Sequence, residues 1–113
     1  MSITADLIRG HTDAIILAHL LERDSYGYEI NKAILEQTEH RYELKEATLY
    51  TAFRRLEDAG YIASYWGNET VGARRKYYTL TQAGRSAFEE QQTAWKNARD
   101  MINKLMKTEE HLI

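Results

Sequence analysis

The chain has no cysteine and no proline, few glycines, and no apolar run of about 18 residues. Without cysteine there is neither a disulfide framework nor a thiolate metal site. The histidines, His11, His19, His40 and His111, lack the i, i+4 pairing of a helical zinc site. Each is expected to be structural or solvated, and no metal or other cofactor is expected. The start MSITADLIRGHTD has no basic region followed by an apolar one. With no spanning segment either, the expectation is a cytoplasmic chain with no membrane partner. Ser-His-Asp spacing, a Gly-rich phosphate loop and HExxH are also missing, so no catalytic residue is expected.

Neither sign of charge dominates, the formal net charge being −2. Spread evenly, that total would argue against nucleic acid as a partner. It is not spread evenly: residues 71–85, VGARRKYYTLTQAGR, hold Arg74, Arg75, Lys76 and Arg85 with no acidic residue. The hydrophobic share of 43% is too high for a disordered chain. At 113 residues the chain suits one domain plus an appended element.

Residues 4–21, TADLIRGHTDAIILAHLL, read as a first helix, and from Ala14 to Leu21 it is apolar nearly all round except for His19. Such a helix must be covered on more than one side, and a partner chain is the expected cover. Asp24 and Ser25 are N-cap candidates for a second helix, YGYEINKAILEQT, with Ile30, Ile34 and Leu35 facing inward. The third, ATLYTAFRRLEDAGYI, stops at Gly60. Then YIASYW and RRKYYTL flank GNETVG and predict a hairpin. From a Thr81 N-cap to about Lys107, nothing breaks a last helix of roughly 27 residues, about 40 Å long. Ala87, Ala94, Ala98, Met101 and Leu105 form one stripe on it, with Gln91 filling a step, and Phe88, Trp95 and Ile102 a second stripe beside it. A helix this long overhangs a small domain, so dimerisation through Phe88, Ala94, Met101, Ile102 and Leu105 is expected.

The fold class predicted is therefore mainly α with a β-hairpin. Residues 1–80 form a winged helix-turn-helix DNA-binding domain and 81–113 a C-terminal dimerisation helix. On a helical wheel the third helix puts Leu49, Ala52, Phe53, Leu56 and Ala59 toward the core. Ala47, Tyr50, Thr51, Arg54 and Asp58 point away. A polar helix face is often only solvated. Here it precedes a wing whose returning strand opens ARRK, and the two patches together favour DNA: Tyr50, Thr51 and Arg54 near the groove, Arg74, Arg75 and Lys76 on the backbone.

The segments SYGYEINKAI, ATLYTAFRRLEDAGYI and GARRKYYTLTQAGR resemble the signature of the PadR family of bacterial transcriptional regulators, over about residues 10 to 95. EATLYT, SYWG and RRKYY resemble most the subgroup with a single C-terminal helix, and within it a multidrug-binding repressor. Relatives often have proline after the Leu-Tyr pair, where this chain has Thr51, and a capping Ser or Asn where it has Lys45. The resemblance implies a homodimeric, ligand-responsive repressor of transporter or stress genes that binds operator DNA. It also implies a cavity at the dimer centre for planar aromatic or cationic small molecules. By position the cavity would be lined by Trp95, Ala14, Leu17 and Ala98, with Asp13 and Arg99 at its rim. Against this stand two other readings, Trp95 as a packed interface anchor and the whole chain as a winged-helix protein-protein interaction module without DNA binding.

Overall fold

The computed structural model describes residues 2–108, which leaves His111 and the end of the expected C-terminal segment outside the described residues. The helix expected over residues 4–21 is in fact two, α1 (Ile3–Arg9) and α2 (Thr12–Glu22). Ser2 caps α1 by accepting from the Ala5 amide at 3.0 Å. His11 leaves helical geometry at φ −112°, ψ 20°, and the Thr12 hydroxyl donates to the Arg9 carbonyl at 2.7 Å across the break. The apolar pattern runs through this joint, so periodicity alone does not reveal it.

Asp24 and Ser25 do not cap the next helix. Ser25–Tyr26 is a short strand, β1, and α3 (Gly27–Gln37) starts directly after it with no side-chain cap. Buried Ser25 instead donates to the Glu29 carboxylate. α4 (Glu46–Asp58) follows, and then β2 (Ile62–Trp66), β3 (Lys76–Leu80) and α5 (Gln82–Met106). Gly60 stands at φ +80° just beyond α4, the left-handed conformation that glycine adopts without strain. Thr81 caps α5 as expected, accepting from the Gly84 amide at 3.0 Å.

The sheet order is β1-β3-β2, antiparallel throughout, with Ser25 opposite Tyr78 and Ile62 opposite Leu80. The core joins Ile16, Leu17 and Leu20 of α2 to Ile30 and Ile34 of α3 and to Leu49, Ala52, Phe53 and Leu56 of α4. Ile62, Tyr78 and Phe88 close it from the sheet and from α5. Each fully buried aliphatic or aromatic chain here contributes about 1.5–3 kcal/mol. Ala59 is exposed rather than inward, because α4 ends at Asp58 and the wheel stops with it. Phe88, expected at a dimer interface, packs in the core of its own chain.

The link between α3 and α4 is held by Asn31. Its amide donates to the Leu44 carbonyl at 2.8 Å and its oxygen accepts from the Leu44 amide at 2.9 Å. That two-way bond fixes where α4 begins. At the other end of α4, α5 crosses so closely that a Cβ on Gly84 would lie 2.0 Å from the Tyr61 carbonyl oxygen. Beyond Phe88 the helix leaves the core, which explains the 60 Å long axis of a 60 × 30 × 23 Å molecule.

Helix propensity alone makes Gly→Ala in an α-helix stabilising by up to about 1 kcal/mol. At Gly84 the obstacle is backbone, so we expect Gly84→Ala to destabilise by about 1–3 kcal/mol. Thermal unfolding followed by circular dichroism decides the sign, and a raised midpoint would show that α5 does not sit this tightly on Tyr61.

Candidate nucleic-acid interface

The N-cap of α4 is Lys45, which contributes only its carbonyl, accepting from the Leu49 amide at 3.0 Å. Glu46 in the first turn complements the positive end of the helix. With Leu49, Ala52, Phe53 and Leu56 buried, the opposite face carries exposed Ala47, Tyr50, Thr51, Arg54 and Asp58. Arg54 forms no hydrogen bond or ion pair with any described residue. Its five donors are available to a ligand.

The hairpin β2–β3 stands beside this face. Glu69 organises its tip: one carboxylate oxygen accepts from the Arg75 amide at 2.9 Å, and the other from the Tyr77 hydroxyl at 3.2 Å. The Arg75 guanidinium lies 3.8 Å from the same carboxylate. These bonds, the Arg75 amide first, hold the Glu69 carboxyl below its ordinary range. The Gly67 amide donates to the Arg75 carbonyl at 2.7 Å, and the Gly67 carbonyl accepts from Arg74 Nε at 3.0 Å.

Each basic side chain of the wing also lies over an aromatic ring. Arg75 is 4.8 Å from the Tyr26 centroid, Lys76 5.8 Å from Tyr78 and Arg74 6.0 Å from Trp66. Tyr77 stacks on Tyr65 at 5.6 Å and meets Tyr26 edge-on at 5.3 Å. The Tyr65 hydroxyl donates to Asp24 at 2.6 Å, and this bond to a carboxylate pushes the phenol up to about 12. A ring thus lies under each of the three cations, and the Glu69 carboxylate beside one of them.

Between the wing and α4 lies a groove of about 720 Å³ lined by Tyr26, Tyr28, Tyr50, Trp66 and Arg74 to Lys76. Four residues expected at DNA, Tyr50, Arg74, Arg75 and Lys76, share this groove, while Thr51 and Arg54 lie on the exposed face of α4. Tyr26, Tyr28 and Trp66 line the groove as well and are not among the residues expected from the sequence. Their signal was the interleaving of aromatic and basic residues, which shows only once β1 is known to pair with β3.

A second, larger groove of about 1140 Å³ runs between the α1–α2 joint, α4 and α5. Asp13, Ala14, Trp95, Ala98 and Ala94 line it, as does Thr51 from α4. Leu17 does not, being fully buried in the core on the other side of α2. Arg99 is also outside the lining and lies over the Trp95 ring at 5.3 Å while bonding Asp100 at 3.1 Å. His11 meets Trp95 edge-on at 6.5 Å, and His19 bonds the Ile15 carbonyl of its own helix at 2.9 Å. Asp13 is ion-paired with Arg55 of α4. Met101, Ile102 and Leu105 are more than half exposed near the end of α5. Among the described residues no cluster of three His, Cys, Asp or Glu could hold a metal, and no helix is long and apolar enough to cross a membrane.

Helices α2, α3 and α4, a two-stranded wing beside α4, and cations on that shared surface define a winged helix-turn-helix protein of the DNA-binding kind. The chain belongs to the transcriptional regulator PadR-like family, whose model matches residues 16–90. It is similar to a transcriptional regulator from Clostridium thermocellum, 48% identical over 91% of this chain and 97% of that one, with a TM-score of 0.83. A PadR family transcriptional regulator from Eggerthella lenta is 33% identical, covering 95% of this chain and 91% of that one at a TM-score of 0.81. An uncharacterized protein of Lysinibacillus sphaericus is 41% identical over 92% of this chain and 95% of its own length.

Proposed function

We propose that the protein is a ligand-responsive transcriptional repressor that binds operator DNA as a homodimer, with α4 as the recognition helix and the β2–β3 wing on the adjoining backbone. The observation that carries this reading is the unpaired Arg54 on the outer face of α4, next to a wing on which Arg74, Arg75 and Lys76 are held over aromatic rings. A guanidinium in a major groove pairs bidentately with guanine, whereas cations spread along a wing suit phosphates. In this reading Tyr50 and Thr51 lie near the groove edge with Arg54.

The two arginine sets should respond differently to mutation and salt. Arg54→Ala should lose about 1–3 kcal/mol, chiefly on DNA selected by the protein from a random pool. Arg75→Ala should weaken binding to every sequence and lower the salt slope by about 1. Equal binding by both variants and wild type, without salt dependence, would leave the protein-protein interaction module as the better reading.

The homodimer rests on apolar surface that one chain leaves open. Ala14, Ile15, Ala18 and Leu21 of α2 are only partly covered, and Met101, Ile102, Leu105 and Met106 of α5 are exposed. A two-fold pairing of α5 with the partner's α2 and α5 would cover both patches. Replacing Met101 and Ile102 together by Glu should give monomers in light scattering. A dimer that survived this change would place its interface elsewhere.

Ligand response is assigned to Trp95 at the centre of that dimer, in the single-C-terminal-helix subgroup of the family that includes multidrug-binding repressors. The indole is part of the larger groove and 45% exposed, and a planar aromatic or cationic molecule would stack on it. A cation would take the place that Arg99 holds over the ring. Occupancy that favours a dimer with mismatched half-site spacing, about 34 Å in the bound form, would release DNA. In a Trp66→Phe background, titration with a planar cationic dye should quench Trp95 saturably, and Trp95→Ala should abolish dye binding while remaining dimeric. Absence of quenching would make Trp95 an interface anchor.

A further inference from the structure

Arg54 and Arg55 are neighbours in sequence, yet only one of them faces open solvent without a partner. Arg55, in the last turn of α4, donates from Nε to Asp13 Oδ2 at 3.0 Å and from Nη2 to Asp13 Oδ1. The pair spans 42 positions of sequence and joins α4 to the first turn of α2. Each charge also suits its own helix end, the carboxylate at the positive start of α2 and the guanidinium at the negative end of α4. Two parallel N–H···O bonds between planar groups fix orientation as well as distance. The Asp13 bond raises the Arg55 pKa further, so the guanidinium stays charged throughout.

In the core α4 and α2 meet through apolar side chains, which pack by shape and carry no directional bond. The Phe53–Tyr78 stack and the Ser64 hydroxyl, donating to Glu57 at 2.7 Å, hold α4 to the sheet, and the fork adds a directional tie to α2. It lies on the wall of the larger groove, beside Thr51 and away from the core. A small turn of α4 on its α2 side would carry Tyr50 and Arg54 along the proposed DNA surface.

We infer that Asp13, acting through Arg55, is the positioning residue that sets the rotation of α4 and aims Tyr50 and Arg54, and that Arg55 itself does not contact DNA. The inference rests on the reading of α4 as the recognition helix. It assigns the Asp13 carboxylate to the DNA-binding geometry of its own chain.

The test uses the full chain and a DNA sequence that the wild type retains from a random pool, with an unrelated duplex of equal length as control. Affinities are measured across a salt series for wild type, Asp13→Asn, Arg55→Met and the double variant. Asp13→Asn and Arg55→Met should each lose about tenfold on the selected sequence, about 1.4 kcal/mol. Binding to the control duplex and the salt slope should not change, and the double variant should be no weaker than either single one. Melting curves confirm that each variant is folded, and Arg55→Met, which keeps its aliphatic stem, carries the test if Asp13→Asn does not fold.

A lower salt slope in Arg55→Met, together with tighter binding of all DNA by Asp13→Asn, would overturn the inference by making Arg55 a phosphate contact. Unchanged selectivity in both variants would overturn it as well. Failure of the wild type to retain any sequence would overturn the recognition-helix reading and this inference with it, an outcome distinct from the first two.

Discussion

The stacking of Phe53 on Tyr78, with ring centroids 4.0 Å apart and planes 18° from parallel, is the contact on which the interface depends. Phe53 belongs to α4 and Tyr78 to the middle of β3, so the stack places helix and wing against each other inside the core. Tyr50 leans edge-on against Phe53 at 5.7 Å, and the Lys76 ammonium lies over Tyr78 at 5.8 Å. One buried pair thus supports a partly exposed tyrosine on the helix side and a cation on the wing side. Truncation of either ring would remove both supports together, in a core where cavities cost several kcal/mol.

The elements that sequence periodicity revealed are those whose pattern is local. α4 has its buried residues at helical spacing and Gly60 just past its end, and α5 runs from the Thr81 cap to Met106. What stayed hidden depends on partners far along the chain or on one residue of backbone. The break at His11 leaves the apolar spacing undisturbed, and β1 is two residues long and exists because β3, some fifty positions later, offers it a ladder. Leu17 and Phe88 carry the same apolar signal whether they face a core, a cavity or a partner. Only the packing of α2 and α5 assigns them inward.

The candidate site was legible in its cations and illegible in its acids. Arg74, Arg75 and Lys76 stand out as a local excess in a chain of net charge −2, and Arg54 by its place on the outward face of a helical wheel. The acidic residues nearby read as a contradiction until their partners are known. Asp13 holds Arg55, Glu69 holds the Arg75 backbone and the Tyr77 hydroxyl, and Asp24 accepts from Tyr65. A carboxylate bonded in this way projects less field toward a phosphate backbone than a free one, so a chain acidic in total retains a basic surface.

α5 connects these parts because one helix passes through three environments. Gly84 and Phe88 lie in the core, Trp95 borders the larger groove, and Met101, Ile102 and Leu105 are exposed beyond it. A helix is stiff over this length, so a displacement of its outer part is transmitted to its packed end rather than absorbed between them. The tight approach of Gly84 to Tyr61 puts that end against the turn leaving α4, and Thr51 and Arg55 put α4 on the wall of the groove that Trp95 borders. α4 and α5 thus border one groove, and α5 also lies against the turn that leaves α4. In the proposed dimer, a change in how two copies of α5 lie together would reach α4 by way of α2, which packs against both helices, without any segment having to unfold.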